Sequence, residues 1–289
     1  MILITGATGH FGKGTIDSLL EKGIPANTIS ALARNPEKAE ALKATGVNVI
    51  AGDYNDEASL KKAFAGVDKL LFVSGSDLQN RVQQHHNVIK AAKEAGVKHI
   101  IYTSYARKNE TETSPIAIIG QQHLETEKAI RESGIPYTFL LNTLYADMVP
   151  MYVGEKVFET GIYLPAGNGK TSFTTRRDMA EAAAVVLTTA GHDNKAYVIA
   201  GNDNHTMHEV AALLTELTGK PVAYNSPSKE VYVDTITKAG MPLEYASLFA
   251  GFMEAIEQGE FETADPDLEK LLGRKPTSLR DYLGSVYAN

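Results

Sequence analysis

The chain has no cysteine, which removes disulfides, thiolate catalysis and cysteine-ligated metals together. It also lacks any basic run: its 28 Lys and Arg are outnumbered by 35 Asp and Glu, for a formal charge of −7. A phosphate backbone or an anionic membrane rewards clustered Lys and Arg, so this balance argues against nucleic-acid and membrane partners. No segment approaches the roughly 18 apolar residues of a membrane span. Residues 1–5 are apolar but carry no basic leader and break at once into glycines, unlike a signal sequence. The reading is a soluble, cytoplasmic protein, and the missing thiols are compatible with a reducing compartment.

Glycine, by contrast, is plentiful, and three glycines organise the chain. The apolar residues 1–5 lead into Gly6, Gly9 and Gly12, after which Ile16, Leu19 and Leu20 recur at helical spacing until Gly23. The pattern predicts strand, tight turn and helix. Gly6 permits the turn, Gly9 lets the backbone approach a pyrophosphate, and Gly12 allows close packing of the helix. Free amides at the helix start, with Thr8, His10 and Phe11 around them, face the phosphates, whose negative charge the helix dipole favours. A glycine triplet alone is weak evidence, but the next strand, residues 28–33, supplies the context that a dinucleotide site requires.

Further strands are expected over residues 47–51, 69–75, 99–103 and 137–141, and helices over 37–44, around Leu60 to Phe64, from Asp77 to Gly96 and over 118–133. Strands nearly continuous in apolar residues, alternating with helices, imply parallel pairing with right-handed crossovers. The expected fold is therefore α/β: a doubly wound parallel sheet of about six or seven strands, helices on both faces, and a smaller helical lobe after it. Breakers at Gly161, Pro165, Gly167 and Gly169 mark the change of rhythm. Beyond it come a helix over 177–190 entered at Asp178, a strand over 196–200, and helices over 208–218, 229–239, 243–257 and 279–287, with Asp265-Pro266 among the breaks. Residues 1–150 are read as the dinucleotide-binding domain and 151–289 as a substrate-binding lobe.

Thr5-Gly6-Ala7-Thr8-Gly9-His10-Phe11-Gly12, Ala33-Arg34-Asn35-Pro36, Gly52-Asp53-Tyr54, Gly134-Ile135-Pro136-Tyr137-Thr138 and Leu279-Arg280-Asp281-Tyr282-Leu283 resemble the NmrA-like atypical short-chain dehydrogenases. Within that family the chain is most similar to the bacterial quinone-reducing and triphenylmethane-dye-reducing branches, over essentially its whole length. The resemblance implies that residues 175–200 return to the main sheet, that NADP(H) is the cofactor, and that Asp53 and Tyr54 lie beside the adenine.

Arg34 is the sharpest single residue. NAD-preferring folds usually end the second strand on Asp or Glu, whereas an Arg there pairs with a 2′-phosphate, and Lys38 adds a second cation. Asp53 reads equally as a turn acceptor or helix cap. Val73, Ser74 and Gly75 end the fourth strand, and Thr103 the fifth, at the carboxyl edge where ligands bind, with room for a ribose over Ser74-Gly75.

Typical short-chain dehydrogenases carry a Tyr and, four residues later, a Lys on the helix after the fifth strand; here the matching helix offers His123 and Glu127. Tyr152 and Lys156 have the spacing, but Gly154 interrupts them after the sixth strand, so the match is read as chance. Without the dyad, a quinone is the better acceptor, because its hydroquinone product is far less basic than an alkoxide and hydride delivery needs positioning more than acid. His123 is read either as a proton donor at the reacting end or as a packed helix residue. Asn142, ending the sixth strand at the carboxyl edge, is the other candidate there. An apolar stripe of Tyr145, Met148, Met151 and Tyr152 reads as core or as a seat for a flat acceptor. His85-His86 and His205/His208 have no carboxylate cluster to complete a metal shell, so no metal is expected.

The function expected is NADPH-dependent hydride transfer to a quinone-like acceptor. The alternatives are a non-catalytic NADP(H)-binding sensor acting through a protein partner, and a reductase of another flat acceptor such as a dye or enone. A homodimer is an open assembly.

Overall fold

The computed structural model describes residues 1–263 and 266–288, apart from the side chain of Lys38; Asp265, read above as a break, lies outside them. The first half alternates strictly: β1 (Ile2–Ile4), α1 (His10–Glu21), β2 (Ile29–Ala33), α2 (Glu40–Lys43), β3 (Asn48–Ala51), α3 (Glu57–Ala63), β4 (Lys69–Phe72), α4 (Arg81–Ala95), β5 (His99–Tyr105), α5 (Ala117–Ser133) and β6 (Tyr137–Asn142). Short elements follow: β7 (Leu144–Tyr145), α6 (Val149–Val153), α7 (Val157–Thr160), β8 (Ile162–Tyr163) and β9 (Phe173–Thr174). The chain then forms α8 (Arg176–Thr188), β10 (Lys195–Ile199), α9 (Met207–Thr218), β11 (Tyr224–Asn225), α10 (Lys229–Lys238), α11 (Leu243–Glu257), α12 (Leu268–Leu272) and α13 (Leu279–Tyr287).

Seven strands make one sheet in the order β3-β2-β1-β4-β5-β6-β10, every pair parallel. The chain thus adopts the doubly wound parallel fold, and β10 returns beside β6. Winding reverses between β1 and β4, the switch point where a crevice opens at the carboxyl ends of the strands.

The sheet is buried on both faces. Ile4, Ile101 and Leu140 pack with Phe11 and Leu19 of α1 and Met179 and Val186 of α8. On the other face Leu3, Leu70, Phe72 and Tyr102 pack with Leu60 of α3, Val88 of α4 and Ile130 of α5. Each of these four strand residues is fully buried, and burying such a side chain stabilises the fold by about 1.5–3 kcal/mol. A third core, including Val149, Ile162, Phe173, Val210, Met253 and Leu283, joins the short elements to α9, α11 and α13. Among the described residues no helix is long and apolar enough to cross a membrane.

Several boundaries differ from the sequence pattern. The helix expected over 37–44 is a 3-10 turn over Pro36–Lys38 followed by the single turn of α2, because Asn35 caps the Glu37 amide and Ala39 leaves helical geometry. α4 starts at Arg81 rather than Asp77, whose carboxylate instead accepts from the amides of Gln79 and Asn80 in a turn. α8 is capped by Thr175, with Asp178 in its first turn. α12 had no periodic signal, and it packs against the sheet's own core through Leu268. The stripe of Tyr145 to Tyr152 is not one surface: Tyr145 packs with the α1/α8 core, Tyr152 with the third core, and Met151 is exposed.

Candidate active site

The crevice is built first by the turn between β1 and α1. Gly6 has φ +59°, open to glycine at little cost, and a Cβ there would stand 3.0 Å from Val73 of the neighbouring strand end. Gly12 is more constrained still: its Cβ would lie 2.4 Å from the Gly6 carbonyl, so the first turn of α1 packs directly on the glycine turn. Gly9 caps α1 with no side-chain acceptor, and the amides of His10, Phe11 and Gly12 have no acceptor among the described residues. Those free donors and the helix dipole form a phosphate cradle. Thr8 and Gly9 line the cleft. The Phe11 ring, by contrast, is buried in the core, so only its backbone faces the cradle.

The opposite wall is the segment after β4. Three successive amides there leave the strand ladder for side chains: Val73 donates to Thr5 Oγ1 (2.9 Å), Ser74 to Thr103 Oγ1 (2.8 Å) and Gly75 to His85 Nε2 (3.0 Å). This is why β4 stops at Phe72 although its apolar run continues. Thr103, 5% exposed, therefore positions Ser74 from beneath and is not itself part of the cleft lining. His85 must be neutral to accept from Gly75, with its Nδ1–H directed at Thr126 Oγ1 (2.8 Å). Burial, reinforced by the charges of Arg81 and His86, pulls its pKa down to about 3.

Between the two walls lies a cleft of about 390 Å³ lined by Gly6, Thr8, Gly9, Arg34, Asp53, Tyr54, Val73, Ser74 and Gly75 among others. Arg34 is exposed just past β2 and makes no ion pair among the described residues, which leaves its charge available at the cleft mouth. The side chain of Lys38 lies outside the described residues. Asp53 Oδ1 accepts from the Asn55 amide (2.9 Å), the turn role weighed above, while its residue still lines the cleft. The Tyr54 hydroxyl donates to Thr5 Oγ1 (2.6 Å) and the Val73 carbonyl (2.8 Å), so it is engaged within the fold while its residue lines the cleft.

Asn142 ends β6, is 3% exposed, and neither of its side-chain polar atoms has a partner among the described residues. His123 is buried beneath β5, with Nδ1 2.8 Å from the Tyr102 hydroxyl and its ring 5.2 Å from that of Tyr105, and it does not line the cleft. Burial, with Arg81 close enough to add to it, holds its pKa well below the ordinary histidine value. A neutral, enclosed imidazole suits the packed reading of His123 better than the proton-donating one. Glu127, four residues on, is locked by Arg107 Nη1 and Nη2 (2.9 and 3.1 Å) and Ser104 (2.6 Å).

The geometry fits a dinucleotide: an uncapped helix start, glycines where no Cβ fits, and an unpaired arginine at the end of β2. Residues 1–283 match the NmrA-like family. The chain belongs to that family. It is 40% identical to quinone oxidoreductase 2 of Escherichia coli (strain K12) over 288 residues, 99% of each chain. It is 36% identical to the NAD(P)H azoreductase of Xenophilus azovorans over 243 residues, 84% of this chain and 82% of the relative. Its structure superposes on Citrobacter sp. triphenylmethane reductase complexed with NADP(H) with a TM-score of 0.91, at 43% identity and 100% coverage of both chains. The E. coli NADPH-dependent quinone oxidoreductase complexed with NADPH gives a TM-score of 0.91 at 40% identity, covering 99% of this chain and 100% of that one.

In this NmrA-like chain, sequence reasoning missed Thr5 and His85 as residues that shape the site. Thr5 carried a signal, since a hydroxyl next to Gly6 can reach the neighbouring strand end. His85 carried none beyond helical spacing, because its partners come from the β4 end and from α5.

Proposed function

We propose that this chain is an NADPH-dependent reductase that delivers hydride to a quinone or similar flat, conjugated acceptor. The observation that carries the reading is a complete dinucleotide cradle beside an α5 that has no proton relay. Where a Tyr-Lys dyad would serve a carbonyl, His123 is neutral and enclosed and Glu127 is tied to Arg107. An acceptor that needs no strong acid suits such a site. The names of the relatives, a quinone oxidoreductase, an azoreductase and a triphenylmethane reductase, point to the same class of flat acceptors.

In this reading the amides of His10 to Gly12 hold the pyrophosphate, Arg34 pairs with the 2′-phosphate, and Asp53 and Tyr54 flank the adenine. Val73 to Gly75, fixed by Thr5, Thr103 and His85, bound the ribose. Bound there, the reduced nicotinamide supplies the hydride. Asn142 stands at the reacting end, where its unpartnered amide holds a carboxamide or an acceptor oxygen in place. Residues 1–150 with 175–200 bind the dinucleotide, and residues 151–289 form the lobe that closes over the acceptor. The charge of −7 and the absence of cysteine support a cytoplasmic enzyme acting on a small molecule and not on nucleic acid.

Stopped-flow oxidation of NADPH against a panel of quinones, azo and triphenylmethane dyes, and simple aldehydes tests this. Turnover of the flat acceptors with aldehydes inert is the expected outcome. Turnover of aldehydes alone would overturn the argument from α5, and tight NADPH binding with no turnover at all would assign the chain to the sensor class.

A further inference from the structure

Gln84 of α4 is 7% exposed, yet it lines the dinucleotide cleft. Its Nε2 donates to two acceptors, Asn55 Oδ1 (3.3 Å) and Asp77 Oδ2 (3.1 Å). Both amide hydrogens are thereby spent, and two acceptors at one end fix which atom of the amide is nitrogen and which is oxygen. Those acceptors are themselves held in place. Asn55 is tied to Asp53 through its backbone amide and its side chain, and Asp77 also receives the Gln79 and Asn80 amides and the Asn80 side chain. The remaining atom, Gln84 Oε1, has no donor among the described residues. Gly75 keeps the space beside that oxygen clear: a Cβ there would stand 3.2 Å from Oε1, 3.6 Å from His85 Nε2 and 3.9 Å from the Tyr54 ring. A nearly buried carbonyl oxygen, locked in one orientation at the wall of a cleft, stays unsatisfied until a ligand brings it an N–H or O–H.

The cofactor reading says which donor that is. The pyrophosphate lies on the amides of His10 to Gly12, the 2′-phosphate meets Arg34, and Val73 to Gly75 bound the ribose. The base then reaches the part of the cleft closed by Asp53, Tyr54, Asn55 and Gln84. Adenine has one hydrogen-bond donor on its edge, the exocyclic amino group, while its free ring nitrogens only accept. We propose that Gln84 reads the base of the dinucleotide: Oε1 accepts from the adenine amino group, so the cleft selects adenine over a base with a carbonyl in that position. The inference rests on the NADPH reading and adds the residue that sets base specificity.

The locked amide is what makes one hydrogen bond selective. A free glutamine turns over to suit either a donor or an acceptor. Gln84 cannot, because bringing Nε2 forward would give up Asn55 and Asp77 and aim Oε1 at two other oxygens. A carbonyl on the base would therefore meet a carbonyl on the protein, a repulsion added to a lost bond.

The test measures dissociation constants by titration calorimetry of the full chain with NADPH and with its hypoxanthine analogue, in which a carbonyl replaces the amino group. The native protein should bind the analogue roughly tenfold more weakly. In Gln84→Met, which keeps the length of the side chain and removes both polar atoms, the two should bind within about twofold of each other. A role confined to holding Asn55 and Asp77 would instead weaken both dinucleotides by one factor and keep the native ratio, and that result would overturn the proposal. Equal affinity of the native protein for the two would overturn it without any variant. If neither dinucleotide binds, the cofactor reading falls and this inference with it. A tenfold preference for NADPH in a protein that turns over no acceptor would support the base reading while the reductase reading falls.

Discussion

Arg34 and Asn142 are both polar residues without partners at the carboxyl edge, and they make opposite predictions. Arg34 is exposed, so its charge is free in water until a phosphate meets it. Replacing it with Glu removes a charge-assisted bond worth about 1.5–3 kcal/mol and adds a repulsion, so NADPH affinity should fall by about 100-fold while NADH changes little. Titration calorimetry with the two cofactors checks this, and equal native affinity for both would remove Arg34 from the 2′-phosphate. Asn142 is buried with both amide atoms idle, which destabilises the free protein. Asn142→Leu should therefore raise the melting temperature by a few degrees, corresponding to about 1 kcal/mol, and lower kcat. A stable variant with native turnover would place Asn142 outside the reacting end. The glycine turn and the place of Arg34 at the cleft were legible in the sequence because they depend on local backbone and on position after a strand. His123 was not, since its environment is assembled from Tyr102, Tyr105 and Arg81 on other elements.

At the scale of elements, the alternation of strands and helices was readable because parallel strands buried on both faces leave continuous apolar runs, and the turn glycines mark helix ends such as Gly96 and Gly134 at φ 73° and 77°. The end of β4 was not readable. Val73 to Gly75 continue the run, yet their amides bond to Thr5, Thr103 and His85, from β1's end, β5 and α4, and no single stretch of sequence records such an arrangement. This end is the wall of the cleft, so its rigidity matters for binding. His85→Leu should leave the Gly75 amide unpaired and loosen the wall, weakening NADPH roughly tenfold for the loss of about one hydrogen bond. The variant should keep the native circular dichroism spectrum. Unchanged affinity would mean that Thr5 and Thr103 suffice to hold the segment.

Burial holds several histidines below their ordinary pKa, His85, His99 and His123 in the interior and the partly buried His192, and this shapes the response of the whole molecule to acid. His85 has a pKa of about 3 in the fold against an ordinary value of 6.5, and burial holds His123 well below that value too. Well above pH 6.5 these histidines are neutral whether the chain is folded or not, and they add no pH dependence. As pH falls below 6.5 the unfolded chain takes up protons that the folded chain refuses, so stability declines by up to about 1.4 kcal/mol per pH unit for each histidine. The loss from His85 continues until its folded pKa near 3, where the native site begins to protonate as well and the slope flattens. Carboxylates whose folded pKa lies below the ordinary range, Asp178 beside Arg274 and Glu209 at the Thr206 cap, act in the same direction but only at lower pH. The His85 contribution also has a functional side, because protonation would force its Nε2 to donate toward an amide that is itself a donor, opening the Val73 to Gly75 wall. Urea unfolding followed from pH 7.5 down to about 4.5 should show a stability slope of at least two protons, which is about 2.7 kcal/mol per unit, with His99 and His192 adding to His85 and His123. His85→Leu should lower that slope by about one proton, about 1.4 kcal/mol per unit. A stability that stays level from pH 6.5 to 4.5 would mean that these histidines carry charge in the folded protein, and the neutral Gly75–His85–Thr126 chain would have to be redrawn.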